Sequence, residues 1–355
     1  MIDKKMLITG LFFSLLFTFI LFYFFIDLSE LINILINVNL FYVLVSLFFY
    51  FLSLYFRSKR WVYLLKKQLT KSSKSILPVV IFGYMANNLI PIRIGELLRS
   101  YYLSIRENIS TSFAFGTIII ERVMDVIALI VFFSIGALTG SLFNSTDFGD
   151  FSNTVPGGKT SMIVLSLFPF LFLLAIIIIY KQLSKNKIEI ILHKLFFFSS
   201  EKIRKLVVNK FFLMFEGLTS ILRKDTFIYT LLFSLIIWTC EALMYYIISL
   251  GLNLDTFFDS TIEHISVIIV FTSVVNLAGI IPSTAGSWGP FDFFGSITLI
   301  TLGVSNEIAV AYSLLVHASL WIPPTLLGFV IIILDKKTIK KVIKNFKYQK
   351  INYVK

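Results

Sequence analysis

Ionisable side chains lie within and between apolar segments in one stretch of this sequence. The stretch runs from Asn87 to Asp125, and its notable charged residues are Arg93, Glu96, Arg99, Glu121, Arg122 and Asp125. Charge is costly in hydrocarbon, so ionisable residues at membrane depth are usually paired and usually functional. The stretch therefore predicts the wall of a polar cavity inside a membrane.

Phosphate binding and helix packing are two interpretations of these charges. Arginines can hold phosphate through paired hydrogen bonds, and the nearby acids would neutralise them until the ligand arrives. On one helix, Glu121, Arg122 and Asp125 share a face, since they are three and four residues apart. Alternatively, the charges form an ion-pair cluster that fixes the helices. We expect both roles, with Arg122 structural and Arg93 or Arg99 facing the ligand.

A second polar break lies between two apolar segments and runs from Pro282 to Pro290. Gly286 and Gly289 allow backbone conformations that other residues resist. Pro290 suits the first turn of a helix, with Ser287 or Gly289 near its cap. The positive end of that helix would bind an anion, and a phosphate headgroup is the natural one in a membrane. The alternative is a plain kink.

His317 lies in a late apolar segment, shortly before Pro323 and Pro324. A lone histidine at membrane depth can be a proton site, because its charge changes near neutral pH. We favour the alternative, a hydrogen-bonded packing residue. The sequence has three scattered histidines, one cysteine and no nucleotide-binding loop or Ser-His-Asp arrangement. It therefore predicts no metal, no cofactor and no catalytic residue.

The composition indicates an all-α, polytopic integral membrane protein. Of its 355 residues 57% are hydrophobic, and the mean hydropathy is +0.88. Runs of roughly 18 or more apolar residues recur, as in membrane-spanning helices. The net charge of +12 reflects basic residues in cytoplasmic loops and not a nucleic-acid partner. We predict six full spans, at about 6–26, 40–56, 111–139, 161–180, 226–250 and 308–334.

Lysine and arginine define the cytoplasmic side of this topology. The loop 57–75, the insert 181–225 and the tail 335–355 are rich in them, so both termini are predicted to be cytoplasmic. Residues 1–334 then form the membrane domain. The insert has an apolar stripe at helical spacing, which favours an amphipathic helix lying on the membrane surface or packed under the bundle.

Two shorter apolar elements break near their middle and are predicted to be re-entrant. Each contains Asn, Pro, Gly and an acid in that order, and each precedes a long span. The residues are Asn88, Pro91, Gly95 and Glu96 in the first element, and Asn276, Pro282, Gly286 and Asp292 in the second. This pattern predicts an inverted repeat whose breaks meet at the membrane midplane, as in many transporters.

These residues resemble a known family. The pattern from Asn88 to Arg99, followed by Glu121, Arg122 and Asp125, is similar to the first signature of the lysylphosphatidylglycerol synthase transmembrane region family, also called flippase-like or UPF0104. The residues Pro282–Gly289 resemble the family's second signature, and this match is looser than the first. The family often has arginine where this chain has His317. The resemblance covers about 6–334 and implies lipid substrates, and we expect neither a soluble aminoacyl-transferase domain nor lysyl transfer.

The leading hypothesis is a transporter in the plasma membrane. It would flip an anionic phospholipid or a polyprenyl-phosphate-linked lipid between leaflets. The predicted substrate-binding residues are Asn87, Asn88, Arg93, Glu96, Arg99, Glu121, Arg122, Asp125, Gly286, Ser287, Gly289, Asp292 and His317. The alternatives are a lipid-linked glycosyl- or aminoacyl-transferase that uses Glu96 or Glu121 as a base, and an accessory protein whose insert docks an envelope glycosyltransferase.

Overall fold

Helices make up the regular secondary structure of the part of the chain that the computed structural model describes. It describes residues 4–69, 73–90, 94–143, 201–279 and 285–342, together with residue 344 and scattered positions between 171 and 194. The helices are α1 (Lys4–Phe25), α2 (Leu28–Ile36), α3 (Leu40–Leu65), α4 (Ser73–Leu89), α5 (Gly95–Glu107), α6 (Thr111–Phe143), α7 (Glu201–Leu218), α8 (Lys224–Gly251), α9 (Thr261–Ala278), α10 (Pro290–Thr301) and α11 (Asn306–Leu334).

The helix lengths confirm a polytopic helical membrane protein. Among the described residues, four helices are long and apolar enough to cross a membrane, namely α3, α8, α9 and α11. A fifth span results if α1 and α2, which meet at a bend of 95°, form one broken span. The predicted third span coincides with the 33-residue α6, and most of the predicted fourth lies outside the described residues. The number six therefore stays a prediction.

The segment 27–39, which lies between the first two predicted spans, contains α2. Asp27 caps this helix, because its carboxylate accepts a hydrogen bond from the backbone N–H of Ser29 at 2.8 Å. Leu31 is buried in a cluster with Val310 and Ala311 of α11. A capping acid followed by a short apolar stretch is therefore the sequence signal for this helix.

The predicted cytoplasmic loop 57–75 is wrong at its start, because α3 continues to Leu65. No proline or glycine interrupts this segment, so the helix extends past the last apolar run. Its buried face carries polar residues spaced by three and four, which are Ser46, Tyr50, Ser53, Arg57 and Arg60. The two arginines therefore point into the bundle.

Both broken elements fold as antiparallel helical hairpins. In the first, the chain turns back between α4 and α5, so that a Cβ added at Gly95 would lie 2.3 Å from the carbonyl oxygen of Gly83. In the second, Gly295 of α10 lies against Phe271 and Val275 of α9. The first helices of the two hairpins have nearly the same length, with 17 residues in α4 and 18 in α9, and α9 is long and apolar enough to span a membrane.

The arrangement of the helices supports the predicted inverted repeat. Helices α3 to α6 contain 26, 17, 13 and 33 residues, and α8 to α11 contain 28, 18, 12 and 29. Helices α3 and α8 run antiparallel, since the Asn39 N–H bonds to the Gly251 carbonyl at one end and Tyr63 stacks on Tyr229 at the other. Helix α4 packs on α11, and α9 packs on α6. Each repeat thus places its hairpin against the long helix of the other.

The described part of the insert packs against the bundle. Helix α7 crosses α6 closely, because a Cβ at Gly116 would lie 2.1 Å from the carbonyl oxygen of Met214, and one at Gly217 would lie 2.2 Å from that of Phe113. The predicted tail likewise begins with helical residues 336–342, and Val342 is fully buried. Contact of the insert with the membrane surface remains a prediction.

Candidate substrate site

Four helices bring a set of arginines and acids together inside the bundle. Helix α3 provides Arg57 and Arg60, α5 provides Glu96 and Arg99, α6 provides Glu121, Arg122 and Asp125, and α8 provides Glu241. We call this set the ion network. The four positive and four negative charges cancel, so the network has no net formal charge. Such pairing is what buried charges require.

Asp125 is the centre of the ion network. Its carboxylate accepts two hydrogen bonds from the Arg60 guanidinium, at 2.6 and 3.2 Å, and one from the Trp238 indole N–H at 3.3 Å. Arg122 and Arg57 each approach it as ion pairs, at 3.4 and 3.7 Å. Asp125 therefore compensates three arginines from two helices.

Two further ion pairs extend the network in opposite directions. On one side, Arg57 Nη2 lies 2.5 Å from Glu241 Oε1 of α8. On the other, Arg99 Nη2 lies 2.5 Å from Glu121 Oε2, and the Arg99 guanidinium lies 4.3 Å above the Trp61 ring. Cation–π contacts of this kind stabilise an arginine that has lost its water. The network therefore ties α3, α5, α6 and α8 together.

A small polar cavity opens beside the network between α4, α5 and α6. Its volume is about 20 Å³, which is room for about one water molecule. It is lined by Gly83, Tyr84, Asn87, Gly95, Glu96, Arg99 and Arg122. Within the described structure, several buried lining atoms have no hydrogen-bond partner, namely Tyr84 Oη, Asn87 Oδ1, Arg99 Nε and Arg122 Nε. The cavity therefore offers unused hydrogen-bonding groups beside two arginines.

A second polar site lies at the start of α10. The His317 ring bonds through Nδ1 to Asp292 Oδ1 and through Nε2 to the Gly286 carbonyl, both at 2.8 Å. The Trp288 ring stacks on the imidazole at 4.2 Å between centroids. His317 is thus hydrogen-bonded at both nitrogens, as the packing interpretation expects. It is also bonded to an acid, which that interpretation did not foresee.

Unusual backbone conformations build this second site. Gly286, Ser287 and Gly289 have φ values of 75°, 66° and 94°, in the region that favours glycine. Asp292 Oδ2 accepts the Gly289 N–H at 3.1 Å and caps α10. The chain's own carboxylate therefore occupies part of the helix end where an external anion was predicted.

Asn88 joins the two sites. Its side-chain amide donates to the Trp321 carbonyl and to Thr325 Oγ1, each at 3.0 Å, while the Trp321 indole N–H donates to the Asn88 carbonyl at 3.1 Å. The Trp321 ring also lies against Gly286. The end of α4 and the second break therefore meet on α11, as predicted for paired broken helices.

The predicted site residues fall into two groups. Asn87, Glu96, Arg99, Glu121, Arg122 and Asp125 belong to the ion network and its cavity, whereas Gly286, Ser287, Gly289, Asp292 and His317 form the second site. Asn88 links them, and Arg93 lies outside the described residues. Sequence reasoning missed Arg57 and Arg60 and did not include Glu241 among the site residues. Helical spacing from Ser46 onward was the available signal for the two arginines.

These features define a class, a helical membrane protein with two inverted hairpin repeats around a buried ion network. The chain belongs to the lysylphosphatidylglycerol synthase TM region family, whose match covers residues 8–328. Among its relatives is a UPF0104 membrane protein of Methanocaldococcus jannaschii that is 27% identical over 89% of this chain and 91% of the relative. A UPF0104 membrane protein of Pyrococcus horikoshii is 25% identical over 86% of this chain and 90% of the relative. No solved structure matches this chain.

Proposed function

We propose that this protein binds an anionic lipid, a phospholipid or a polyprenyl-phosphate-linked lipid, and moves it between the leaflets of the cell membrane. The observation that carries the proposal is the polar cavity beside the ion network. Arg99 and Arg122 line it, and the Nε group of each guanidinium makes no hydrogen bond within the described structure. Guanidinium groups bind phosphate oxygens with matching geometry.

The contact between Glu96 and Arg122 is the one that a phosphate would exchange. It is long, with 3.4 Å between Arg122 Nε and Glu96 Oε1, and these side chains are 33% and 22% exposed. The Arg99–Glu121 pair is shorter and almost fully buried. A phosphate entering the cavity would therefore displace Glu96 and leave the rest of the network in place.

An apolar groove offers surface for the lipid tail. It has a volume of about 310 Å³, at the lower end of the range for small-molecule sites. Helices α6, α8 and α9 line it with Phe132, Ile135, Thr239, Ala242, Leu243, Tyr246, Ile265, Ile268 and Ile269. Helix α8 carries part of this groove and also Trp238 and Glu241, which bond to Asp125 and Arg57 of the ion network.

Reconstituted liposomes test the proposal. Inward movement of a fluorescent anionic phospholipid and of a labelled polyprenyl phosphate would be compared for wild type, Arg99→Gln and Arg223→Gln. Arg223 is an exposed arginine at the start of α8 and serves as the matched control. We expect Arg99→Gln to slow movement by about tenfold, because a charge-assisted hydrogen bond contributes about 1.5–3 kcal/mol. Equal rates in Arg99→Gln and wild type, or no movement of either lipid by wild type, would contradict the proposal.

A lipid-linked transferase is the second candidate, and the position of Glu96 favours it. Its carboxylate is partly exposed in the cavity, where it could act as a general base. Purified protein would be incubated with labelled donor and lipid, and the lipid product measured for wild type and Glu96→Gln. Product that depends on Glu96 supports the transferase, whereas lipid movement without product supports the transporter.

A further inference from the structure

We infer that His317 and Asp292 form a proton-binding site, and that this site couples lipid movement to a proton. Binding of the proton stands on the geometry of the pair alone, whereas the coupling rests on the proposed function. The two repeats carry a basic residue at the same position of their long helices. Arg122 is the twelfth residue of α6, and His317 is the twelfth residue of α11.

Each of these basic side chains contacts an acid at the start of the preceding helix. Arg122 contacts Glu96, the second residue of α5, and His317 contacts Asp292, the third residue of α10. The same acid–base pair therefore occurs twice, once in each repeat. An arginine keeps its charge at any physiological pH, whereas a histidine can lose its proton. The pair in the second repeat is the one whose charge can change.

The hydrogen bonds of the imidazole require a specific proton count. The Gly286 carbonyl can only accept, so Nε2 must carry a hydrogen. One further proton must lie between Nδ1 and Asp292 Oδ1, because their 2.8 Å contact otherwise brings two acceptors together. With that proton the pair is neutral overall and all its bonds are made. Without it, the pair has one negative charge in a site where the two side chains are 4% and 5% exposed.

Asp292 is the ionisable side chain bonded to the imidazole. The other helices around α11 bond elsewhere along it. Asn88 of α4 bonds near Trp321, Tyr50 of α3 donates to the Leu320 carbonyl at 3.1 Å, and the Tyr245 carbonyl of α8 accepts from Tyr312 at 2.9 Å. Helix α2 contributes apolar contacts. The proton count of this site is thus set by the His317–Asp292 pair.

Loss of the proton would weaken the contact between α10 and α11. The ring connects the start of α10, through Asp292, to the residues before it, through the Gly286 carbonyl. Repulsion between Nδ1 and the carboxylate separates α10 from α11, while the Arg122–Glu96 pair of the first repeat is unaffected. Binding or loss of the proton therefore changes the second repeat and not the first. Alternating access requires such a difference between the two repeats.

Fluorescence of Trp288 tests the proton site in the purified full-length protein. Its stacking on His317 makes its emission sensitive to the imidazole charge, because a protonated ring quenches indole more strongly. Emission would be measured between about pH 4 and pH 9. We expect a step in wild type that is absent in Trp288→Phe, in His317→Arg, whose charge is permanent, and in Asp292→Asn. The asparagine amide can still accept the Gly289 N–H and donate to Nδ1, so this variant keeps the bonds without the extra proton.

Superimposable titration curves of wild type and a folded His317→Arg or Asp292→Asn variant would overturn the proton site, as would the lack of a step in wild type. A single elution peak and a cooperative thermal transition establish folding. Either of the two variants suffices for the comparison.

Liposomes with a pH difference of about one unit across the membrane test the coupling. We expect the rate of lipid movement by wild type to change several-fold with the direction of the pH difference, and that of His317→Arg to be indifferent to it. Wild-type movement that ignores the pH difference overturns the coupling and leaves the transporter proposal intact. If wild type moves no lipid, the transporter proposal and the coupling both fail, and the fluorescence titration still decides the proton site.

Discussion

The repeat α3–α6 and the repeat α8–α11 have the same helix order, similar helix lengths and reciprocal packing, yet they bury different kinds of charge. The first repeat contributes seven of the eight members of the ion network, and the second contributes Glu241. The second repeat instead holds the His317–Asp292 pair. The same arrangement of helices therefore contains two kinds of site. One is a cluster held by several ion pairs, and the other is a pair whose hydrogen bonds need one further proton.

The equivalent acid–base pairs of the two repeats differ in environment. Glu96 and Arg122 border a cavity and are partly exposed, whereas Asp292 and His317 are almost fully buried. Exposure suits contact with a ligand. Burial makes the loss of a proton costly, because the negative charge that remains is kept away from water.

The largest expected effect concerns the centre of the ion network. Asp125→Ala leaves Arg57, Arg60 and Arg122 without their shared partner, and removing one member of a buried ion pair costs about 3–5 kcal/mol. We expect the thermal midpoint of the purified protein to fall sharply. Asp225→Ala, at the exposed start of α8, should leave it nearly unchanged. Similar midpoints for the two variants would show that the network does not hold the bundle together.

The next prediction compares the two acid–base pairs directly. Asp292→Ala removes both the partner of His317 and the cap of α10, so it should cost about 3 kcal/mol. Glu96→Ala removes a longer and partly exposed contact and should cost about 1 kcal/mol. Thermal unfolding of both variants in one detergent measures the difference. Equal losses would remove the distinction between a buried site and a cavity wall.

The two asparagines at corresponding positions provide a third comparison. Asn88 bonds to α11 of the other repeat, whereas Asn276 bonds to Thr272 and Tyr245 within its own. Asn88→Leu should therefore cost about 1–2 kcal/mol and also loosen the contact between the two breaks. Hydrogen exchange of residues near Trp321 should increase in Asn88→Leu and not in Asn276→Leu. An increase in both would mean that the contact between repeats is not specific to Asn88.

The smallest expected effect concerns a contact between the two repeats that lies outside the spans. Burial raises the pKa of Asp335, but hydrogen bonds from Thr338 and Tyr102 and the charge of Arg106 outweigh it, so the pKa lies below its ordinary value of 3.8. The ionised carboxylate therefore stabilises the fold above about pH 4, and this contribution disappears as the pH falls further.

Asp335→Asn should accordingly be less stable than wild type at pH 7, by about 0.5–1 kcal/mol, and the difference should shrink as the pH falls below 3.8. Thermal midpoints across this range measure the difference. A difference that does not shrink with falling pH would show that the ionised carboxylate is not what links Asp335 to Tyr102 and Arg106.

Much of the fold could be predicted from apolar runs and from glycine, proline and asparagine at their ends. Both hairpins and the helix α6 fall where these signals place them. The segment after residue 56 could not, because a high density of lysine and arginine is typical of a cytoplasmic loop. That density outweighed the three- and four-residue spacing that carries Arg57 and Arg60 into the bundle.

The sequence by itself determined that this chain is a helical membrane protein, that its apolar segments break twice, and that the charges within them need partners. Hydropathy and the cost of buried charge are properties of the residues themselves, so they can be evaluated one segment at a time. Only the tertiary structure decided which charges are paired. Arg57 meets Glu241 across 184 residues, and Asp292 meets His317 instead of the arginines of the first repeat. Such partners depend on how helices pack, and no local pattern encodes that packing.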